Sequence, residues 1–198
     1  MNCEIDDCIT EARFHVTRIE SRCSAFQKYM CESHTRAYCS EFFSQVSDGV
    51  ESLATPRGLV RADFELMIWD YNPDEKETPA HLYLREAGGP RRFGTKIEWW
   101  VWSTMMTQLQ QRRASLPVTH DAWAATIKEL GGDLQDVVVD VLDGPDRWFH
   151  AKLRIVQNEQ SISLNVRMGD GYVLAIVFGV PIFVAEKLMG TMPREGEN

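Results

Sequence analysis

Apolar and polar positions split the chain into a short-period amino-terminal stretch and a longer mixed region. Ala12–Ile19 carries Phe14 and Val16 in strand-like positions, and Ser21–Tyr29 continues in the same style, which predicts a hairpin. Cys39, Phe42, Phe43, Val46, Val50 and Leu53 then recur at helical spacing, so an amphipathic helix is expected over 35–53. Thr55-Pro56-Arg57-Gly58 breaks that pattern and sets a boundary. Beyond it Val60, Ala62, Phe64, Leu66 and Ile68 alternate strictly with Arg61, Asp63 and Glu65, the pattern of a half-buried strand. Asn72–Thr78 is a polar loop, His81–Arg85 a second strand, and Gly88-Gly89-Pro90 a turn. Lys96–Gln111 reads as a helix with Ile97, Trp100, Val101 and Met105 on one stripe.

Thr119 opens another helix as its cap, with Asp121 in the first turn and Gly131-Gly132 at its end. Strands follow at 136–142, 147–156 and 161–167, joined by Asp143-Gly144-Pro145-Asp146 and by Asn158-Glu159-Gln160. Tyr172–Phe178 is wholly apolar and fits either a buried helix or a strand. Pro181–Val184 is a short strand, and Glu186–Met189 a last turn. Helices and strands mix without βαβ regularity, so the expected class is α+β: a small amino-terminal module with its following helix over 1–54, a mixed domain over 59–190, and a flexible tail over 191–198.

Composition narrows the function classes. The 198 residues carry 44% apolar and 25% charged side chains, a globular balance. A net charge of −8 argues against a generic nucleic-acid coat, since phosphate affinity rests on basic surface. Arg91-Arg92 with Lys96, and Gln110–Arg113, are small basic patches fit for a local phosphate contact. The longest apolar run, Tyr172–Phe178, is far too short to span a membrane, and the acidic start of the chain lacks the apolar core of a signal peptide. A cytoplasmic protein that does not contact membranes is expected.

All five cysteines lie within the first 39 residues. Cys3 and Cys8 make C-x4-C, Cys31 and His34 make C-x2-H, and the hairpin lies between the pairs. That is the layout of a treble-clef finger, and a Cys3His set suits tetrahedral Zn²⁺ in a closed structural site. Metal binding would supply folding energy to a segment with few large apolar groups. His15 is an alternative ligand; Cys23 is off the pattern, and Cys39 belongs to the helix's apolar stripe.

Two resemblances extend this reading. Cys3–Asp7–Cys8, Ala12-Arg13-Phe14-His15-Val16-Thr17 and Cys31-Glu32-Ser33-His34 resemble the zinc module of activators of bacterial protein arginine kinase, which implies zinc and contact with a protein partner. From Val118-Thr119-His120-Asp121 through Val137–Gly144, Trp148–Leu153 and Ser163–Gly171 to Gly179–Val184, the chain resembles the bifunctional nuclease domain family. That resemblance implies hydrolysis of DNA and RNA phosphodiesters and turns Tyr172–Phe178 into a buried helix. The family's Arg, Pro-Ser, Asp pattern is met at Arg167 and Asp170, with Met168-Gly169 in place of Pro-Ser and Gly171 in place of Ala. Its Gly and Glu before a run of small residues have Gly94 and Glu98 as candidates here, with Glu98 one residue further on and Trp99, Trp100 and Trp102 in place of the small residues.

The chemistry of phosphodiester hydrolysis assigns roles. Asp170 and Asp121 are candidate bases or ligands for Mg²⁺ or Mn²⁺, Arg167 a phosphate clamp, and His120 a proton carrier. Each also has a structural role open to it: Asp170 as an N-cap, Asp121 against a helix dipole, Arg167 paired with Asp170. His150 shares a strand face with Trp148, Lys152 and Arg154 and is expected to be exposed. The tryptophan cluster fits base stacking, a core or a subunit interface. The leading expectation is a metal-dependent nuclease that self-associates, as a dimer, through an apolar patch near 99–106. The alternative is a non-catalytic adaptor that uses the domain as an oligomerising scaffold and the finger to bind a protein.

Overall fold

The computed structural model describes residues 3–5, 14–21, 24–30, 33–34, 56–70, 78, 80–110, 117–141 and 149–192. Among them nine strands form one sheet: β1 Phe14–Ser21, β2 Ser24–Met30, β3 Leu59–Asp70, β4 Ala80–Glu86, β5 Arg92–Ile97, β6 Gly132–Val141, β7 Phe149–Gln157, β8 Gln160–Arg167 and β9 Ile182–Ala185. The helices are α1 Trp99–Leu109, α2 Thr119–Glu129 and α3 Met168–Phe178. Strand order is β2-β1-β3-β9-β6-β7-β8, with β4 and then β5 built outward from β3. Pairing is antiparallel throughout except between β6 and β9. This mixed sheet with segregated helices is an α+β architecture.

Strand β3 organises the sheet. Its first residues, Leu59–Ala62, pair with β9, and its last, Leu66–Asp70, with β1. The strict alternation read from the sequence is interrupted here, because the register against β4 shifts between Phe64 and Leu66. A bulge of one residue exchanges the two faces beyond it. Ala62 and Met67 therefore join the main core under the helices, while Leu66 and Ile68 join a smaller cluster with Cys3, Val16, Met30 and Tyr83. Glu65 is the residue at the bulge, and it is buried. It accepts a bidentate hydrogen bond from buried Arg92, Nε at 2.7 Å and Nη2 at 3.2 Å.

The amino-terminal hairpin expected from the pattern is present as β1 and β2, and it joins the sheet through β1–β3 pairing. One sheet thus runs across the boundary expected at 55–58. The helix expected over 35–53, the side chains of Cys8, Cys23, Cys31 and Cys39, the Asn72–Glu77 part of the polar loop, the Asp143–Asp146 connection and the tail from 193 lie outside the described residues.

Downstream, β5 occupies 92–97, so α1 begins at Trp99 and not at Lys96. Gly94 within β5 blurred its alternation, and pairing with β4 recruits it into the sheet. Tyr172–Phe178 is helical, and the helix reaches back to Met168. Its first turns are buried on all sides because α3 lies against β6 and β7 while α1 and α2 pack on it. An all-round apolar helix is what such a position requires. Tyr172 sits at its centre, fully buried and edge-on to Phe64; its hydroxyl has no hydrogen-bond partner among the described residues, and burial pushes its pKa up.

Candidate active site

The start of α3 gathers chemistry from three elements. Arg167, the last residue of β8, is the N-cap of α3, and Asp170 stands three residues on, in its first turn. Asp170 is thus inside the helix and not its cap as the sequence suggested; there its carboxylate faces the positive end of the helix dipole. Asp170 is only 8% exposed, yet both its oxygens are engaged. Oδ1 lies 3.1 Å from Nε2 of His120, and Oδ2 accepts a hydrogen bond from Nε of Arg167 at 3.2 Å.

His120 comes from the first turn of α2 and is 6% exposed. Its ring lies nearly parallel to Trp100 of α1, with centroids 6.4 Å apart and planes 14° apart, and edge-on to Trp123 at 6.0 Å. The Arg167 guanidinium stands 5.2 Å above the Trp100 ring, while its side chain remains 72% exposed. The arrangement is a buried His–Asp pair, walled by indoles, beneath an accessible cation. Asp170, itself held by Arg167, contacts the imidazole at Nε2 and leaves Nδ1 as the ring's second nitrogen. Trp100 and Trp123, whose spacing in sequence carried no signal, enter the group only through the packing of α1 and α2 on α3.

Asp121 does not join this group. Its Oδ2 accepts the Val118 backbone N–H at 3.2 Å and its Oδ1 accepts from Gln108 Nε2 at 3.0 Å. It closes the start of α2, whose N-cap is Val118 and not Thr119. The described donors therefore do not fit a Mg²⁺ or Mn²⁺ centre: Asp170 is a single carboxylate with both oxygens committed, where a hard cation takes several oxygens. Glu98 is exposed at the N-cap of α1 with no side-chain hydrogen bond to the helix, and Gly94 lies in β5.

Packing accounts for the residues around Asp170. A Cβ built on Gly169 would stand 2.5 Å from Val101 Cγ2, and one on Gly171 2.4 Å from Ala151 Cβ. Glycine at these positions lets α3 approach both α1 and β7. The Val101 side chain of α1 and the missing side chain at 169 are two halves of one contact.

The basic patch at 91–92 is not free for phosphate. Arg91 binds Glu86 through two hydrogen bonds, 2.7 and 2.8 Å, and also Glu186, while Arg92 is spent on Glu65. The Arg91 guanidinium holds the Glu86 carboxyl below its ordinary value despite some burial. Arg112 and Arg113 lie outside the described residues. His150 is buried, contrary to the exposure expected from its strand face, and its Nδ1 has no hydrogen-bond partner among the described residues. The apolar residues near 99–106 mostly face inward: Val101, Met105 and Met106 are buried, and Trp102 packs on Trp69 at 4.7 Å.

At the amino terminus, Cys3 Sγ and His34 Nδ1 stand 3.3 Å apart. Two ligands on one tetrahedral zinc, at about 2.3 Å for sulfur and 2.0 Å for nitrogen, stand about 3.5 Å from one another. The pair sits beside β2, where Glu4 and Tyr29 exchange hydrogen bonds from Glu4 N to Tyr29 O and from Tyr29 N to Glu4 Oε2.

A family model for the bifunctional nuclease domain matches residues 82–195, which hold β4 from Leu82 onward, β5 to β9, α1 to α3 and every residue of the His120 group. The chain belongs to the bifunctional nuclease domain family. It is also similar to the uncharacterized proteins Rv1829 and MT1877 of Mycobacterium tuberculosis, strains H37Rv and CDC 1551, at 29% identity over 126 residues. The match spans 63% of this chain and 73% of each of those proteins. Arg167, Gly169 and Asp170 lie within the matched span, and Gly169 packs on Val101 of α1. The β1–β2 hairpin and β3 precede the matched span.

Proposed function

We propose that this domain hydrolyses nucleic-acid phosphodiesters at the mouth of the His120–Asp170–Arg167 group. One observation carries the reading: a proton carrier, the carboxylate that orients it and an accessible arginine, drawn from α2, α3 and β8, meet within hydrogen-bonding distance. Arg167 takes a phosphate oxygen and offsets charge developing there. His120 moves the proton between water, the attacking group or the leaving oxygen, and Asp170 keeps its ring aimed. No step passes through a metal. In a chain of net charge −8, one arginine over the Trp100 ring favours local capture of a phosphate over coating of a duplex. The test is turnover of single-stranded DNA and RNA by the purified chain. Wild type is expected to cleave, and Asp170→Asn to cleave at least about tenfold more slowly with unchanged circular dichroism. Equal rates would reject the site. Adding Mg²⁺ or Mn²⁺ to chelated protein in the same assay is expected to leave the rate unchanged, and a rate that needs either ion would overturn this metal-free route.

The burial of both His120 and Asp170 favours a second reading, a non-catalytic regulator in which the triad only locks α2, α3 and β8 together. Absence of cleavage of either polymer, with a protein partner captured through residues 1–54, would select it.

For the amino terminus we propose a structural zinc ion held by Cys3, Cys8, Cys31 and His34. The Cys3–His34 separation supports half of that set. Elemental analysis is expected to find one zinc per chain, lost in Cys3→Ser together with the melting stability that metal binding supplies. Retention of full zinc by Cys3→Ser would overturn the assignment.

A further inference from the structure

We propose that the sheet face turned away from α3 binds one nucleotide of a single-stranded polynucleotide, its base stacked on the Arg154 guanidinium and its two flanking phosphates on Arg61 and Lys152. This deepens the hydrolytic reading by placing a part of the substrate that the His120 group does not touch, and it rests on that reading for the choice of polymer.

Helix α3 packs on the side of the sheet that carries Val137, Ala151 and Val166. Ala62, Ile182 and Val184 join the same core. Side chains alternate across a strand, so the residues between these face the other way. Strand register then sets Arg61 of β3, Phe183 of β9, Val138 of β6, Lys152 of β7 and Asn165 of β8 in one row across that second face.

Arg154, two residues along β7 from Lys152, reaches across this row. Its guanidinium stands over the Phe183 ring, 5.6 Å from the centroid. Asp136, its buried cross-strand partner on β6, accepts from both Nε and Nη2, the latter at 2.7 Å. A carboxylate held at two points fixes the orientation of a guanidinium. The Arg154 side chain nevertheless stays 34% exposed. A guanidinium plane held in place is a surface on which an unpaired base stacks, as an aromatic ring is.

The charges of the face divide around this platform. Its carboxylates have cations beside them: Asp136 has Arg154, Asp140 has Lys187 at 2.9 Å, and Asp63 stands opposite Arg85 of β4. Arg61 and Lys152 form no ion pair among the described residues, and Arg61 Nε is buried without a hydrogen-bond partner there. A buried donor left unspent is uncommon in a folded chain and calls for an acceptor from outside. Neighbouring strands lie about 4.8 Å apart, so three steps separate Arg61 from Lys152 by about 14 Å at the backbone. The Arg154 guanidinium, over Phe183 of β9, stands between those two columns. A nucleotide inside a strand has one base and a phosphate on either side, which matches this order. A free mononucleotide brings one phosphate, a duplex offers no free base face, and an acidic peptide has no planar ring to lie on Arg154.

The test is the binding of a short labelled single-stranded oligonucleotide, read by fluorescence anisotropy in the Asp170→Asn background so that cleavage plays no part. Arg61→Gln with Lys152→Gln is expected to weaken binding and to reduce the slope of log K against log salt by about 1.4, the share of two single-strand phosphates. Arg154→Lys keeps the charge beside Asp136 and removes the plane, and is expected to weaken binding about tenfold, within the worth of one stacked base. Circular dichroism is expected to be unchanged in all of them. Wild-type affinity and salt slope in the double variant overturn the site, and so does wild-type affinity in Arg154→Lys. Equal affinity for the duplex form or for a free mononucleotide overturns the assigned ligand, and tighter binding of poly-glutamate gives the face to a protein instead. Loss of turnover at the His120 group with binding intact rejects the hydrolytic reading alone.

Discussion

Exchange of His120 for alanine is expected to lower phosphodiester cleavage by a factor of about 10²–10⁴, the usual worth of a positioned proton carrier. The prediction rests on the proposed hydrolytic reading and on geometry: His120 is held by Asp170 at 3.1 Å and flanked by Trp100 and Trp123. The same flanking makes a loss of activity ambiguous by itself, since truncation leaves a gap between two indoles. Added imidazole resolves the ambiguity. It fits the space left by the missing ring, and a catalytic role predicts partial recovery of turnover, whereas a purely architectural role predicts recovery of melting temperature without turnover. Activity at the wild-type rate in His120→Ala would end the assignment.

The second large effect concerns the sheet. Arg92→Met is expected to destabilise the fold by about 3–5 kcal/mol, because it leaves Glu65 buried and uncompensated. Glu65 loses two hydrogen bonds, at 2.7 and 3.2 Å, and retains only Arg85, 3.7 Å away and 42% exposed, which holds the loss toward the lower end. The double variant Glu65→Leu, Arg92→Met is expected to recover most of that stability, since an apolar pair of similar volume avoids the desolvation of two ions. Urea unfolding of the three proteins measures both. A single variant that costs under about 1 kcal/mol would place its effect in the range of surface substitutions and contradict the buried pairing.

How much of this was legible before the structure differs from element to element. The strands at 147–156 and 161–167 needed only residue alternation and a polar turn, and they appear as β7 and β8 within two residues of expectation. The helix from Thr119 to Glu129 needed only an acidic first turn and a glycine stop, and Gly131 has φ +76°. Strand β5 was missed because Gly94 hides its period, and only the ladder with β4 defines it. The face switch in β3 was invisible, because a bulge is a property of pairing and not of one strand. The His120–Asp170–Arg167 group was legible in its residue types but not in its membership. Two aspartates of equal promise in the sequence separate once α2 is docked: Asp170 faces His120, and Asp121 turns to Gln108.

Sequence alone therefore determined what local periodicity and short motifs can encode: the α+β class, most strands and helices, the family, the amino-terminal Cys–His spacing, and the residue types at the start of α3. The tertiary structure decided which of those residues meet, that the hairpin joins the same sheet as the larger domain, that Arg91 and Arg92 are consumed by glutamates, and that β8 is the last strand of the sheet among the described residues. The physical reason is range. Turn chemistry and residue period act over a few positions, whereas a contact between His120 and Asp170, fifty residues apart, exists only after helices pack on a sheet whose register no single segment contains.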